Sequence, residues 1–197
     1  LMKDKRKLIT INDPHLKVDE NYHCYRVIKD SNNFIRDKDG KPYVQKCWPG
    51  ESIWIDFLKP EARDIWASFY HYENYDSSTP IMFAWNDMNE PSVFELPECT
   101  MHKDARQTYV KNGKHIDIEH REVHNIYGYC MHKATYKGLL ERNKGQNIRP
   151  FVLSRSFFAG SQKYAAIWTG DSGSNWGHLR MTIPMVLSIS LCGISFI

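Results

Sequence analysis

Two stretches of this chain combine residue types and positions suited to acid/base chemistry. Trp85-Asn86-Asp87-Met88-Asn89-Glu90 sets two carboxylates and two amides directly behind a continuous apolar run that begins at Pro80. Trp168-Thr169-Gly170-Asp171 repeats the order, with an aspartate just past the apolar run Ala165-Ala166-Ile167-Trp168. Two carboxylates facing each other across a pocket walled by aromatic rings is the arrangement glycoside hydrolysis requires. One attacks the anomeric carbon or activates water, and the other protonates the leaving oxygen. Arg155, behind Phe151-Val152-Leu153, supplies a fixed cation that holds Asp87 ionised and donates to a sugar hydroxyl. Each residue also has a plainer reading. A rim aspartate serves as a helix cap or turn former, and Asp171 is placed to cap a helix beginning near Asn175. The tryptophans are equally core candidates.

The elements that must carry these residues follow from the apolar pattern. Leu8-Ile9-Thr10-Ile11 reads as a strand ending at Asn12-Asp13-Pro14. Residues 15–50 read as irregular, with a turn at Asp39-Gly40 between two short extended pieces. Pro60 opens a helix whose apolar face is Ala62, Ile65, Trp66, Phe69 and Tyr70. A strand over 80–85 is followed by a polar loop. A second amphipathic helix carries Val123, Ile126, Tyr127, Cys130 and Ala134 and ends near Gly145. Short strands at 151–153 and 165–168, a helix from about Asn175 and a strand at 194–197 complete the series. Uniformly apolar strands alternating with amphipathic helices predict a parallel sheet covered on its outer face. The class is α/β, a partial (β/α)₈ TIM barrel over 1–197 with a loop-rich insertion at about 15–55. In such a barrel the C-terminal strand ends form the catalytic rim.

Composition excludes several alternatives. Lys plus Arg is 26 and Asp plus Glu 23, for a net charge of +3, so there is no electrostatic case for nucleic acid. Hydrophobic residues at 42% and charged residues at 25% are those of a folded domain. The 5 cysteines are odd in number and contain no CxxC, which gives neither a complete disulfide framework nor a zinc pattern. His115, His120 and His124 lack the HExxH order, so no metal is expected. Asp37, Asp39 and Gly40 lack the first and closing ligands of a calcium loop. The charged N-terminus shows no signal peptide. The apolar run from Met181 to Ile197 is short of the roughly 20 residues a membrane span needs, and Pro184 and Gly193 interrupt it. It reads instead as a buried helix leading into a buried strand, and a chain ending there looks like part of a longer one.

The decapeptide Trp85-Asn86-Asp87-Met88-Asn89-Glu90-Pro91-Ser92-Val93-Phe94 resembles the nucleophile signature of glycoside hydrolase family 31, the retaining α-glucosidases. Phe151 to Gln162 and Trp168-Thr169-Gly170-Asp171 are similar to its acid/base region. Asp13-Pro14-His15-Leu16-Lys17, Cys47-Trp48-Pro49-Gly50 and Glu119 to Gly128 resemble its glycoprotein-processing branch. The resemblance implies Asp87 as nucleophile, Asp171 as general acid/base and Arg155 as a substrate contact. It implies Trp48, Trp85 and Trp168 as aromatic walls around a terminal glucose, and Asp13 as a further rim contact. Ser172 replaces the family's usual Asn, and Ser174-Asn175 its commoner Ala-Glu; neither position carries the proton. A substrate-binding Asp would lie before Leu1 and a substrate-contacting His after Ile197.

The resemblance further implies hydrolysis of terminal α-linked glucose with retention and without metal or organic cofactor. The substrate would be an α-glucoside, and in that branch the α-1,3-glucoses of N-glycans in the endoplasmic reticulum lumen, with a noncatalytic β subunit as partner. The alternatives are a glycan-binding module without turnover, and a family relative acting on glycogen, maltose or xylosides.

Overall fold

The computed structural model describes residue 1 and residues 3–196. In chain order the elements are β1 (Leu8–Asn12), β2 (His15–Lys17), α1 (His23–Asp30), β3 (Val44–Cys47), β4 (Gly50–Trp54), α2 (Pro60–Ser68) and β5 (Met82–Asn86). They continue with β6 (Arg106–Lys111), β7 (Lys114–Glu119), α3 (His120–Val123), α4 (Tyr127–Arg142), β8 (Val152–Ser154) and α5 (Trp176–Leu191). A 3₁₀ turn at His124–Ile126 joins α3 to α4.

The parallel sheet has the order β1-β5-β8. Ile11 pairs with Trp85 and Trp85 with Leu153, which brings the three strand ends to one level. Two further staves extend the arc through parallel bridges, Leu153 to Ala166 and Ile167 to Phe196. Five successive parallel staves form the arc of a (β/α)₈ barrel, as the apolar pattern predicts, with α-helices in every crossover except that from β8 to Ala166, which holds only a 3₁₀ turn at Ser161–Lys163. The last residue of the expected strand at 194–197 lies outside the described residues.

Two sequence expectations are corrected. Residues 15–50 are not irregular: β2, β4 and β3 form an antiparallel sheet flanked by α1. These strands are only 3 to 5 residues long, too short for an alternation to register. The polar stretch before α3 is a β6–β7 hairpin turning at Asn112-Gly113, both with positive φ. Asn-Gly between extended runs is a strong hairpin signal, but the flanking residues are too polar for an apolar pattern to mark them.

The core lies between the parallel sheet and the α2/α4 layer. Phe57 packs edge-on against Trp66 and Tyr127, with ring centroids 5.4 Å apart in both pairs. These rings are buried, and aromatic edge-to-face contacts add to their area term. The predicted faces hold: Ala62, Trp66 and Tyr70 of the first helix segment and Tyr127, Cys130 and Ala134 of the second are buried. Trp66 Nε1 donates to Thr135 Oγ1 at 2.8 Å across the helix crossing.

The helix from Asn175 departs from its expected burial. Asn175 caps α5 by accepting from the His178 backbone N–H, so Asp171 is not the cap. No residue of α5 is buried, and Leu179, Met181, Ile183, Leu187 and Leu191 are exposed. Apolar composition drives burial only where another apolar surface is present to meet it. Among the described residues no helix is long and apolar enough to cross a membrane.

The α2–α4 crossing is close because Gly138 lacks a side chain. A Cβ there would fall 2.4 Å from the Ala67 carbonyl oxygen, which is backbone and cannot swing away. Gly138→Ala is expected to destabilise the barrel by about 1–3 kcal/mol through overpacking, read as a lower melting temperature in thermal unfolding.

Candidate active site

The site is assembled at the C-terminal ends of β5, β8 and the stave that follows. Asp87 stands one residue past β5 and Arg155 one residue past β8. The parallel register of these strands therefore brings the two side chains together. Arg155 Nη1 lies 3.0 Å from Asp87 Oδ1 and 3.5 Å from Asp171 Oδ2. One guanidinium nitrogen thus bridges the two aspartates that the sequence singled out. Their facing oxygens can be no farther apart than those two contacts laid end to end.

The remaining edge of the guanidinium is taken by Glu90. Nε donates to Oε1 at 2.9 Å and Nη2 donates to Oε2 at 3.0 Å, a two-point fork. Nη2 also approaches Met88 Sδ at 3.1 Å. Sequence reasoning noted Glu90 only as part of its motif and assigned it no role. Its partner is visible only once β5 and β8 are known to be neighbours, and no spacing in the chain encodes that.

The turn bearing Asp87 and Glu90 is pinned from beneath. Asn89 is fully buried; its Nδ2 donates to Ser154 Oγ at 2.9 Å and its Oδ1 accepts from the Ser156 N–H at 3.0 Å. Ser154 Oγ donates in turn to the Ser156 carbonyl at 2.7 Å, so the bond from buried His132 comes from its Nδ1–H, at 3.1 Å. Gly128 of α4 fits under this turn; a Cβ there would lie 2.7 Å from the Asn89 carbonyl oxygen. Met88 takes a positive φ of 54°, and its N–H donates to Asp87 Oδ1 at 2.9 Å. Two positions along the motif, Asn89 and Met88, are thus spent on orienting the carboxylates beside them.

The electrostatics follow from one cation among several carboxylates. Burial raises the Asp87 pKa; the Met88 N–H and Arg155 act against that, while Glu90 and Asp171 add to it. The Arg155 pKa is raised further above its already high value, first by its pairing with Glu90. Asp13, at the end of β1, is pushed up to about 6, by burial first and then by Asp87. His15 Nε2 lies 3.7 Å from Asp13 Oδ2, but burial lowers the imidazole to about 4. The imidazole is therefore neutral at pH 7, and this contact is not an ion pair there.

The aromatic residues divide into two groups. Trp85 and Trp168 meet edge to face with centroids 5.1 Å apart, spanning the two staves that carry Asp87 and Asp171. Trp48 is 69% exposed, stands edge-on to Phe94 at 4.7 Å, and shares with Asp13 the wall of a cavity of about 930 Å³. Asp13 feels the charges of Asp87, Glu90 and Arg155, but none of those three residues lines the cavity it shares with Trp48. The three histidines do not converge: His120 Nε2 and His124 Nδ1 bond each other at 2.7 Å, and His115 is exposed on β7. Among the described residues no group of three or more His, Cys, Asp or Glu is placed to hold a metal ion.

A parallel barrel with an arginine clamped among carboxylates at its C-terminal rim defines an enzyme-like class of site. The whole chain, residues 1–197, matches the glycosyl hydrolases family 31 TIM-barrel domain, and the chain belongs to that family. It is 51% identical over 196 residues to mouse neutral alpha-glucosidase C, covering all of this chain and 21% of that protein. The crystal structure of glucosidase II alpha subunit bound to alpha3-Glc2 superimposes with a TM-score of 0.87 at 46% identity, covering 96% of this chain and 20% of that one. The ER glucosidase II heterodimeric complex, of catalytic subunit and binding domain of the regulatory subunit, gives 0.89 at 44%, with 99% and 21% covered. The chain therefore spans about a fifth of the length of the proteins it matches.

Burial makes the site's foundation acid-sensitive. His132 and His120 are both lowered to about 3 by burial. Their unfolded forms bind protons below about 6.5 and their folded forms do not, so stability falls as pH drops from about 6.5 toward 3. His132→Gln removes one such proton. The loss of stability between pH 6.5 and 5 is expected to shrink by about 2 kcal/mol relative to the native protein, compared by denaturant unfolding at both pH values.

Proposed function

We propose that the protein containing this chain is a retaining α-glucosidase, with Asp87 as nucleophile and Asp171 as general acid/base. The single observation that carries this reading is the shared contact of both carboxylates with Arg155 Nη1. That contact limits the gap between the nearest oxygens to at most the 3.0 and 3.5 Å contacts laid end to end, which supports the closer spacing of retaining enzymes, about 5–5.5 Å between carboxyl groups, over the wider gap that admits a water in inverting ones.

The steps follow from the chemistry of each group. Asp171, with its side chain 91% exposed to solvent, protonates the glycosidic oxygen as the bond to the anomeric carbon breaks. Asp87 attacks that carbon and forms a glucosyl ester. Asp171, now ionised, takes a proton from water as the water attacks the same carbon and frees Asp87. Arg155 keeps Asp87 ionised against the burial that favours its protonated form, and donates to the sugar. Trp85, Trp168 and Trp48 wall the glucose, and Asp13 accepts from a sugar hydroxyl. The scheme needs no metal or organic cofactor.

The relatives support a finer reading, in which the substrates are α-1,3-linked glucoses of N-glycans trimmed in the endoplasmic reticulum lumen. The match to a glucosidase II alpha subunit carrying alpha3-Glc2 favours that linkage. The match to the heterodimeric complex favours a noncatalytic β subunit as partner.

Asp87→Ala in the full-length protein is expected to lower kcat on a chromogenic α-glucoside by about 10⁴-fold or more while glucose release by Asp171 variants recovers with activated leaving groups. Near-native turnover in Asp87→Ala would remove Asp87 from its role. Proton NMR of the first product formed is expected to give α-glucose; β-glucose as the initial anomer would mean inversion and overturn the assignment.

A further inference from the structure

We propose that Glu90 is a positioning residue for this reaction, clamping the plane of the Arg155 guanidinium so that Nη1 is aimed between Asp87 and Asp171. The proposal rests on the reading of Asp87 and Asp171 given above.

Three carboxylates compete for one arginine, and the outcome decides whether Asp87 is usable. A two-point fork to Asp87 would engage both of its oxygens and leave neither free to attack carbon. The observed allocation avoids this. Glu90 takes the Nε/Nη2 edge with contacts of 2.9 and 3.0 Å, and Met88 Sδ lies against Nη2 at 3.1 Å. Only the two hydrogens of Nη1 remain, out of five on the group. The Nη1 nitrogen itself lies 3.0 Å from Asp87 Oδ1 and 3.5 Å from Asp171 Oδ2. Both contacts on Asp87, from Met88 N–H and from Nη1, fall on Oδ1, and Oδ2 is the oxygen left for attack.

Glu90 can act as a clamp because its own backbone is fixed. The preceding residue, Asn89, is bonded to Ser154 and to Ser156, on either side of Arg155 in the chain. The two members of the pair are thus anchored to each other through their backbones as well as through their side chains. An arginine held only by its aliphatic stem would sample many orientations, and freezing it during the reaction would raise the barrier.

The test uses the full-length protein and p-nitrophenyl α-glucoside. Glu90→Gln keeps the size of the side chain but replaces one acceptor with a donor, which breaks the fork. It is expected to lower kcat about 10- to 100-fold with a much smaller change in KM. The acid limb of the kcat/KM profile should move to lower pH. Asp87 would lose a repulsive neighbour and gain a fuller share of Arg155, and both changes favour its ionised form; Asp13, Asp171 and Arg155, the other charged groups around it, are untouched. In an Arg155→Ala background the same substitution should have little further effect. An unchanged kcat and acid limb would overturn the proposal, as would a lower melting temperature with an unmoved acid limb, or a full effect of Glu90→Gln without Arg155. Asp87→Ala separates the two readings: if it kills turnover while Glu90→Gln is native-like, only the clamp fails, and if it retains turnover the catalytic assignment itself is lost.

Discussion

The rim of this barrel is organised by one cation shared among carboxylates. Arg155 contacts Asp87, Glu90 and Asp171, and Asp13 stands close enough to feel the same charges. Anions outnumber the cation, and in a partly desolvated setting such repulsion cannot be fully screened. At Asp13, burial raises the pKa to about 6, with repulsion from Asp87 and Glu90 adding to the rise and Arg155 opposing it. Removing Arg155 would leave a cluster of like charges with no compensation, so its placement past β8 is the condition on which the rest of the rim depends.

That placement is secured by secondary structure more than by the charges. Parallel pairing of β5 with β8 sets the register, and the Asn89 amide ties the turn after one strand to the backbone after the other. Helix α4 closes on this pair from outside, which is why Gly128 and Gly138 must both be without side chains where they meet the turn and α2. The chain of dependence thus runs from two glycines on one helix, through a buried amide, to the orientation of a guanidinium.

Much of this was legible before any coordinates. The apolar runs before Asp87, Arg155 and Asp171 announce buried strands, and a sharp change to polar residues announces their ends, so the barrel arc and its three charged rim residues follow from pattern alone. What escaped has physical reasons. The small sheet β2-β4-β3 has strands too short for alternation to accumulate, and the β6–β7 hairpin is too polar for its faces to differ. The burial of α5 was misread because hydropathy reports what a segment prefers and not whether a partner is there. The role of Glu90 was invisible because pairing across neighbouring strands has no signature in sequence separation.

The two halves of the cleft are built to different tolerances. Asp87 sits on a turn bolted to its neighbour by amide and guanidinium, whereas Asp171 rides on an exposed loop with one contact at 3.5 Å. On the roles proposed here, the stiff half faces the sugar being cleaved and the supple half faces whatever departs. Aglycones of unlike shape could then be accommodated, and evolution could retune that side, without the covalent step losing its alignment.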